Sequence, residues 1–332
     1  MPLVIAGFGV CVLIILYCGI KLSHYGDQIA EKTGMGKAWF GLITMASVTS
    51  LPELFTGIGS AAVVGSADLA VGNVMGSCVF NLAFLSLLDA FSKKTTLFSA
   101  ASQSHILAAA LGIILFSFVG LGLYLPDIIR ITDWIGIFSI VFIIIYLISV
   151  KLVYQYDKKN ISSTTATFST EHRTSFSLKK LIVLYIINAL FVIWAALLLP
   201  GFAEKISHHT GLAQSFVGTL FLAASTTLPE MVVSISAIKI KAIDMAVGNL
   251  LGSNLFNIFI LAVDDLFYRK GSILHDASEN NIISVFSTII MTSIAIVGLT
   301  YRAGRKNFVL AWDTLLILCM YIINMILLYH LH

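Results

Sequence analysis

Thr49-Ser50-Leu51-Pro52-Glu53 decides the reading of this chain, because the pattern returns as Thr226-Thr227-Leu228-Pro229-Glu230. Each copy is followed by a glycine–asparagine run. The first reads Gly72-Asn73-Val74-Met75-Gly76-Ser77-Cys78-Val79-Phe80-Asn81 and the second Gly248-Asn249-Leu250-Leu251-Gly252-Ser253-Asn254-Leu255-Phe256-Asn257. The two glutamates lie 177 positions apart and the two Gly-Asn pairs 176. Polar motifs repeated at one spacing inside apolar sequence point to an internal duplication.

The surroundings of both copies belong in a membrane. The 332 residues are 58% hydrophobic and only 11% charged, with a mean hydropathy of +0.96, whereas soluble domains are about 25% charged. Apolar runs of roughly 20 residues, the length that crosses the hydrocarbon core as helix, recur throughout. Ten spans are expected, at 3–20, 38–64, 67–90, 104–124, 133–154, 179–200, 212–238, 242–266, 281–300 and 308–330. The first is read as a retained span: no basic residue precedes it and no small-residue cleavage site follows. Lysine and arginine sit in short loops between spans, which gives no basic surface for nucleic acid. Cys11, Cys18, Cys78 and Cys319 lie in apolar segments without a CxxC pair, so neither a disulfide framework nor a zinc site is indicated.

The fold class expected is an all-α polytopic membrane protein: ten transmembrane helices in two inverted five-helix repeats, broken at the midplane. Residues 1–155 form the first repeat and 179–332 the second, joined by a linker at 156–178 rich in Ser, Thr and charge. Five is odd, so the second repeat enters the membrane with opposite orientation. The loops after odd-numbered spans hold Lys21, Lys32, Lys37, Lys93, Lys94, Lys151, Lys158, Lys159, Arg173, Lys179, Lys180, Lys239, Lys241, Arg302, Arg305 and Lys306. The other side holds only Arg130, Lys205, Arg269 and Lys270. This bias puts the linker in the cytoplasm and both termini outside, with the plasma membrane as default location.

Two acids at the centre of spans are the functional signal. A charge there costs roughly 2.5–3.5 kcal/mol even by insertion measurements, so it is rarely idle. Pro52 and Pro229 precede Glu53 and Glu230, and a proline inside a helix frees the carbonyl four residues back, here those of Val48 and Ser225. Thr49 and Thr226 lie one turn before their acids on the same face. Asn73, Ser77 and Asn81 fall at i, i+4 and i+8, and Asn249, Ser253 and Asn257 repeat the stripe. Asn73 and Asn249 are read as secondary and structural. Gly72 with Gly76, and Gly248 with Gly252, are small residues that let helices approach. Together these groups offer hard oxygen ligands suited to Ca²⁺, Mg²⁺ or Na⁺. The histidines lie outside the stripes, which argues against a soft transition-metal site. No nucleophile–histidine pair, HExxH or phosphate loop suggests an enzyme or a cofactor.

At these residues the sequence resembles the cation/calcium exchanger superfamily, of the sodium/calcium exchanger type, in a prokaryotic-like form without the cytoplasmic regulatory domain. The resemblance covers both repeats. It implies an antiporter exchanging Ca²⁺ for Na⁺ by alternating access, with Ca²⁺ at Glu53 and Glu230 and Asn81 and Asn257 completing the centre. It further implies Na⁺ sites at Thr49, Ser50, Thr226, Thr227, Ser77 and Ser253 and at the backbone carbonyls of Ala46 and Ala223. The sequence departs from the family pattern at Val48 and Ser225, where glycine is expected, and at Thr227, where serine is expected. Asn257 replaces an Asp linked to K⁺ use in potassium-dependent relatives. A site complete within one chain permits a monomer in the lipid bilayer. The rival readings are a Ca²⁺/H⁺ antiporter of the same fold, a cation channel, and a non-transporting protein.

Overall fold

In lipid a chain satisfies its backbone N–H and C=O groups internally only as helix or closed barrel. Long helices dominate the computed structural model, which describes residues 1–33, 49–91, 96–125, 134–161, 177–303 and 310–331. In chain order these are α1 (Pro2–Thr33), α2 (Leu51–Ile58), α3 (Ala67–Phe91), α4 (Leu97–Ala100), α5 (Ser104–Tyr124), α6 (Ile137–Ile161) and α7 (Leu178–Thr210). Then come α8 (Gln214–Val217), α9 (Ala223–Thr226), α10 (Leu228–Lys239), α11 (Ile243–Phe267), α12 (Ile273–Asp276), α13 (Asn281–Tyr301) and α14 (Trp312–His330). Wider π-helical turns run at Gly59–Val64, after α2, and at Gly218–Leu222, between α8 and α9.

Eight of these helices are long and apolar enough to cross a membrane, and the pair Gln214–Thr226 with Leu228–Lys239, bent by 47°, makes a ninth span. The expected second span is seen as the shorter apolar stretch Leu51–Val64; its first part, with Val48, lies outside the described residues. Several elements outrun their expected limits. α1 continues to Thr33 and α7 to Thr210, past Pro200. α6 reaches Ile161, six residues into the stretch read as linker.

The break in the second repeat corrects one expectation. Pro229 lies in the first turn of a new helix, α10, not in the interior of a continuous one. There its missing N–H has no intrahelical partner to lose, and its fixed φ suits the helix start. Pro52 takes the same place in α2. The backbone restarts at Ser50 and Thr227, so each proline opens a half-helix and each glutamate sits in its first turn.

Burial sorts the helices. Of the most apolar windows of α3 and α11, 78% of residues are buried, against 22% for α1, α6 and α7. α3 and α11 therefore form the centre and pack on each other, while α1 and α7 lie side by side against α2, α9 and α10. The glycines of the stripe permit the close crossings. A Cβ on Gly72 would meet the Ser215 carbonyl at 2.9 Å, and one on Gly76 would meet Thr219 Cα at 2.5 Å.

A second set of paired acids holds the repeats together. Asp89 accepts from Leu97 N–H at 2.7 Å, Ala311 N–H at 2.9 Å and the Thr314 hydroxyl at 3.0 Å. Asp265 accepts from Ile273 N–H at 2.7 Å, Gly136 N–H at 3.1 Å and the Ser139 hydroxyl. Each buried carboxylate ties the start of a short helix in its own repeat to the start of the fifth span of the other. Asp68 and Asp244 form another such pair. Asp68 accepts from Ser278 N–H and the Asn281 amide, and Asp244 from Ser102 N–H and His105. These matched cross-links carry the two-fold relation between the inverted repeats.

Asp89→Ala or Asp265→Ala leaves two N–H groups without their acceptor, and Asp265→Ala also removes the acceptor of the Ser139 hydroxyl, whereas the Thr314 hydroxyl keeps the Ala311 carbonyl. Each should lower stability by roughly 3 kcal/mol or more. Thermal unfolding of the purified protein in detergent should show a similar drop in Tm for both variants, and an unchanged Tm would contradict the clamp.

Candidate cation-binding site

Each repeat brings its half-helix and its polar stripe to one place at the centre of the molecule. Glu53 and Glu230 are both fully buried, at 0% exposure. Ser50, at the start of α2, donates its hydroxyl to Glu230 Oε1, and Ser253 Oγ lies 3.4 Å from the same hydroxyl. Across the axis the hydroxyls of Thr226 and Thr227 lie beside Glu53. Thr227 Oγ1 also lies 3.3 Å from Ser77 Oγ. The hydroxyls of one repeat thus address the acid of the other.

The stripes complete the enclosure. Asn81 donates to Asn254 Oδ1 at 3.1 Å, Asn254 donates to the Cys78 carbonyl at 3.2 Å, and Asn257 Nδ2 lies 3.7 Å from Cys78 Sγ. Asn73 and Asn249 are braces, as their place in the stripe suggested. Their amides donate to the carbonyls of Glu53, at 3.3 Å, and of Glu230, at 3.5 Å, and Asn249 adds a bond to Ser234. They fix the backbone of the residue that carries each acid.

The unpaired atoms are the telling feature. Both carboxylate oxygens of Glu53, Oε2 of Glu230 and the amide oxygens of Asn81 and Asn257 are buried with no hydrogen-bond donor among the described residues. Buried polar atoms are nearly always satisfied. Here acceptors converge without donors, the arrangement that a bound cation resolves. The acceptors are oxygens, which suits a hard cation.

The expected residues are placed as follows. Glu53, Glu230, Asn81, Asn257, Ser50, Thr226, Thr227, Ser77 and Ser253 are buried at the centre, and Thr49 is buried beside Glu230. Ala46 lies outside the described residues. The Ala223 carbonyl already accepts from Thr227 N–H at 3.0 Å and from the hydroxyls of Thr226 and Thr227. To face a cation it would exchange one of these bonds, which places it behind the side-chain oxygens as a ligand. Asn254 was missed as a member of the site; its counterpart is Cys78, so the spacing that found the other pairs did not mark it.

A cation that fills this site stabilises the folded state, by about 2.7 kcal/mol at 100 times its Kd. Millimolar Ca²⁺ or Na⁺ should raise the Tm of the purified protein. Glu53→Gln should abolish the Ca²⁺ effect while folding normally, because it retains the shape and removes the charge. A full Ca²⁺ shift in that variant would place the ion elsewhere.

Comparison with known proteins agrees with this geometry. The sequence pattern of the family described as sodium/calcium exchanger protein matches residues 3–154 and 180–330. The chain is 29% identical over 322 residues to an uncharacterised membrane protein of Methanocaldococcus jannaschii, covering 96% of this chain and 95% of that one. It is 29% identical over 121 residues to the sodium/calcium exchanger MaX1 of Methanosarcina acetivorans, covering 36% of this chain and 32% of that one. A solved structure of the sodium-calcium exchanger NCX_Mj superposes with a TM-score of 0.62 at 24% identity, covering 98% of this chain and 99% of that one. That likeness is one of fold: a multi-pass helical membrane protein with inverted repeats. By the match across both its halves, the chain belongs to the sodium/calcium exchanger protein family.

Proposed function

We propose that this chain is a secondary active antiporter that exchanges Ca²⁺ for Na⁺ by alternating access around Glu53 and Glu230. The observation that carries the reading is the state of Glu53: it is fully buried, neither carboxylate oxygen is bonded to a donor among the described residues, and it faces a second buried acid. Family membership supports the choice of ions. Glu53, Glu230, Asn81 and Asn257 hold the central Ca²⁺. Thr49, Ser50, Thr226, Thr227, Ser77 and Ser253 supply flanking Na⁺ ligands.

Exchange follows from electrostatics. Two ionised carboxylates sealed from water cost several kcal/mol each when uncompensated. One Ca²⁺, or two or more monovalent ions, offsets most of that cost. The occluded state is therefore reached only when the site is filled, and an empty site stays open to one side. This forbids leak and couples the two fluxes.

The moving part is the α1–α7 pair. It packs against the broken helices, and its contact surface is smooth where it meets the site: a Cβ on Gly19 of α1 would meet the Pro229 ring at 2.6 Å. We assign the linker side to the cytoplasm, both termini to the outside, the location to the plasma membrane, and the working unit to a single chain.

The test is Ca²⁺ uptake into proteoliposomes loaded with Na⁺ and diluted into K⁺ buffer, beside a pH-gradient control. Uptake should follow the outward Na⁺ gradient and ignore the pH gradient; uptake driven by protons alone would move the chain to the Ca²⁺/H⁺ reading. Single-channel currents would instead support a pore. Gly19→Leu should cut flux at least tenfold while the Ca²⁺-induced rise in Tm persists, because it obstructs sliding and not binding. Unchanged flux in that variant would remove α1 from the moving part.

A further inference from the structure

A third acid lies inside the membrane-spanning core and takes no part in the site described above. Asp264 of α11 is fully buried, at 0% exposure, and neither of its carboxylate oxygens has a hydrogen-bond partner among the described residues. Its neighbour Asp265 is committed to Gly136, Ser139 and Ile273. Asp264 has no such role.

Its place is defined by Gly57. A Cβ on Gly57 would overlap both carboxylate oxygens of Asp264, so the carboxylate occupies the space left by the missing side chain. Gly57 lies one turn beyond Glu53 on α2, about 6 Å along the helix, and on the same face. Asp264 lies two turns beyond Asn257 on α11. The carboxylate therefore flanks the central site on one side, towards the C-terminal ends of α2 and α11.

Among the described residues no lysine, arginine or histidine pairs with it. The two basic residues that follow α11 are engaged elsewhere: Lys270 donates to the Gly65 carbonyl at 2.7 Å, and the Arg269 guanidinium lies over the Trp134 ring at 5.5 Å. The ionisable groups on the elements packed against α11 include the acids Glu53, Glu230, Asp68, Asp89 and Asp276, the partly buried His105 and Tyr146, and Lys151, Lys239 and His275, which are exposed. The adjacent residue, Asp265, is a second buried acid. A lone carboxylate sealed in this way binds a counter-ion or a proton.

The inverted repeat supplies the control. Asp264 corresponds to Leu88, and Gly57 to Ser234, whose hydroxyl accepts from Asn249. The space and the acid exist on one side of the molecule only.

We infer that Asp264 is a second cation station, taking one small monovalent cation, Na⁺ or H⁺, beside the central site on the side of the α2 and α11 C-termini. Under the orientation assigned above, that is the extracellular entrance. The station's place on a transport route rests on the exchanger reading; its occupancy does not.

The test measures thermal stability in the Glu53→Gln background, where the central Ca²⁺ site is already disabled, with and without Asp264→Asn. One arm titrates Na⁺ from 1 to 100 mM at fixed pH. The other lowers pH in Na⁺-free buffer. Glu53→Gln alone should gain Tm in at least one arm, and the added Asp264→Asn should abolish that gain: loss in the first arm identifies Na⁺, loss in the second H⁺. Gly57→Ala, which places a methyl group against the carboxylate, should weaken the same response and checks the position independently. Parallel curves with and without Asp264→Asn in both arms would overturn the inference. They would leave the exchanger reading intact, since wild-type transport tests that separately.

Discussion

The whole structure depends on two carboxylates held in an apolar medium with fewer donors than they need. Among the described residues Glu230 keeps one donor, Ser50, and Glu53 has none. Everything around them serves this shortage. The half-helices place each acid in a first turn, where the helix N-terminus favours negative charge. The Asn73 and Asn249 amides hold the carbonyls of the same residues. The glycine stripe then brings α3 against the broken helix of the other repeat, so that both acids share one enclosure. Under the proposed exchange, the cargo completes a site that the protein leaves incomplete, and that requirement couples one ion's movement to another's.

The repeat relation is built mostly from backbone ties. Asp89 and Asp265, with Asp68 and Asp244, hold opposite ends of the two repeats by equivalent bonds. These ties do not involve the α1–α7 pair, which touches the core through the broken helices and their π-helical turns. The symmetry is incomplete: besides Asn254 against Cys78, two differences involve an acid or a histidine. His105 on Asp244 replaces Asn281 on Asp68, and Asp264 replaces Leu88. Each difference puts an ionisable group in one repeat where the other repeat has none.

Much of this was legible in the sequence, for a physical reason. Polar residues inside spans are costly, so those that remain stand out against an apolar background, and duplication marked them twice. Glu53 and Glu230 and the stripes to Asn81 and Asn257 were found that way. The same 176-residue spacing relates Asp89 to Asp265 and Asp68 to Asp244, yet these acids lie near span ends, where charge is ordinary, and so carried less signal. Asn254 and Asp264 have no polar counterpart, and only the packing of α2 on α11 revealed the latter. The helix breaks were expected from proline, but their form was not: helix-start geometry at Leu51 and Leu228 depends on where the previous helix stops, which the proline alone does not fix.

The central claim is that one cation site is assembled jointly by the two repeats. Equilibrium binding of radioactive Ca²⁺ to the purified chain tests it most directly. The account predicts one high-affinity Ca²⁺ per wild-type chain, lost in Glu53→Gln and equally lost in Glu230→Gln. A single variant that kept its stoichiometry, or two sites of which each substitution removed one, would show that the glutamates act apart.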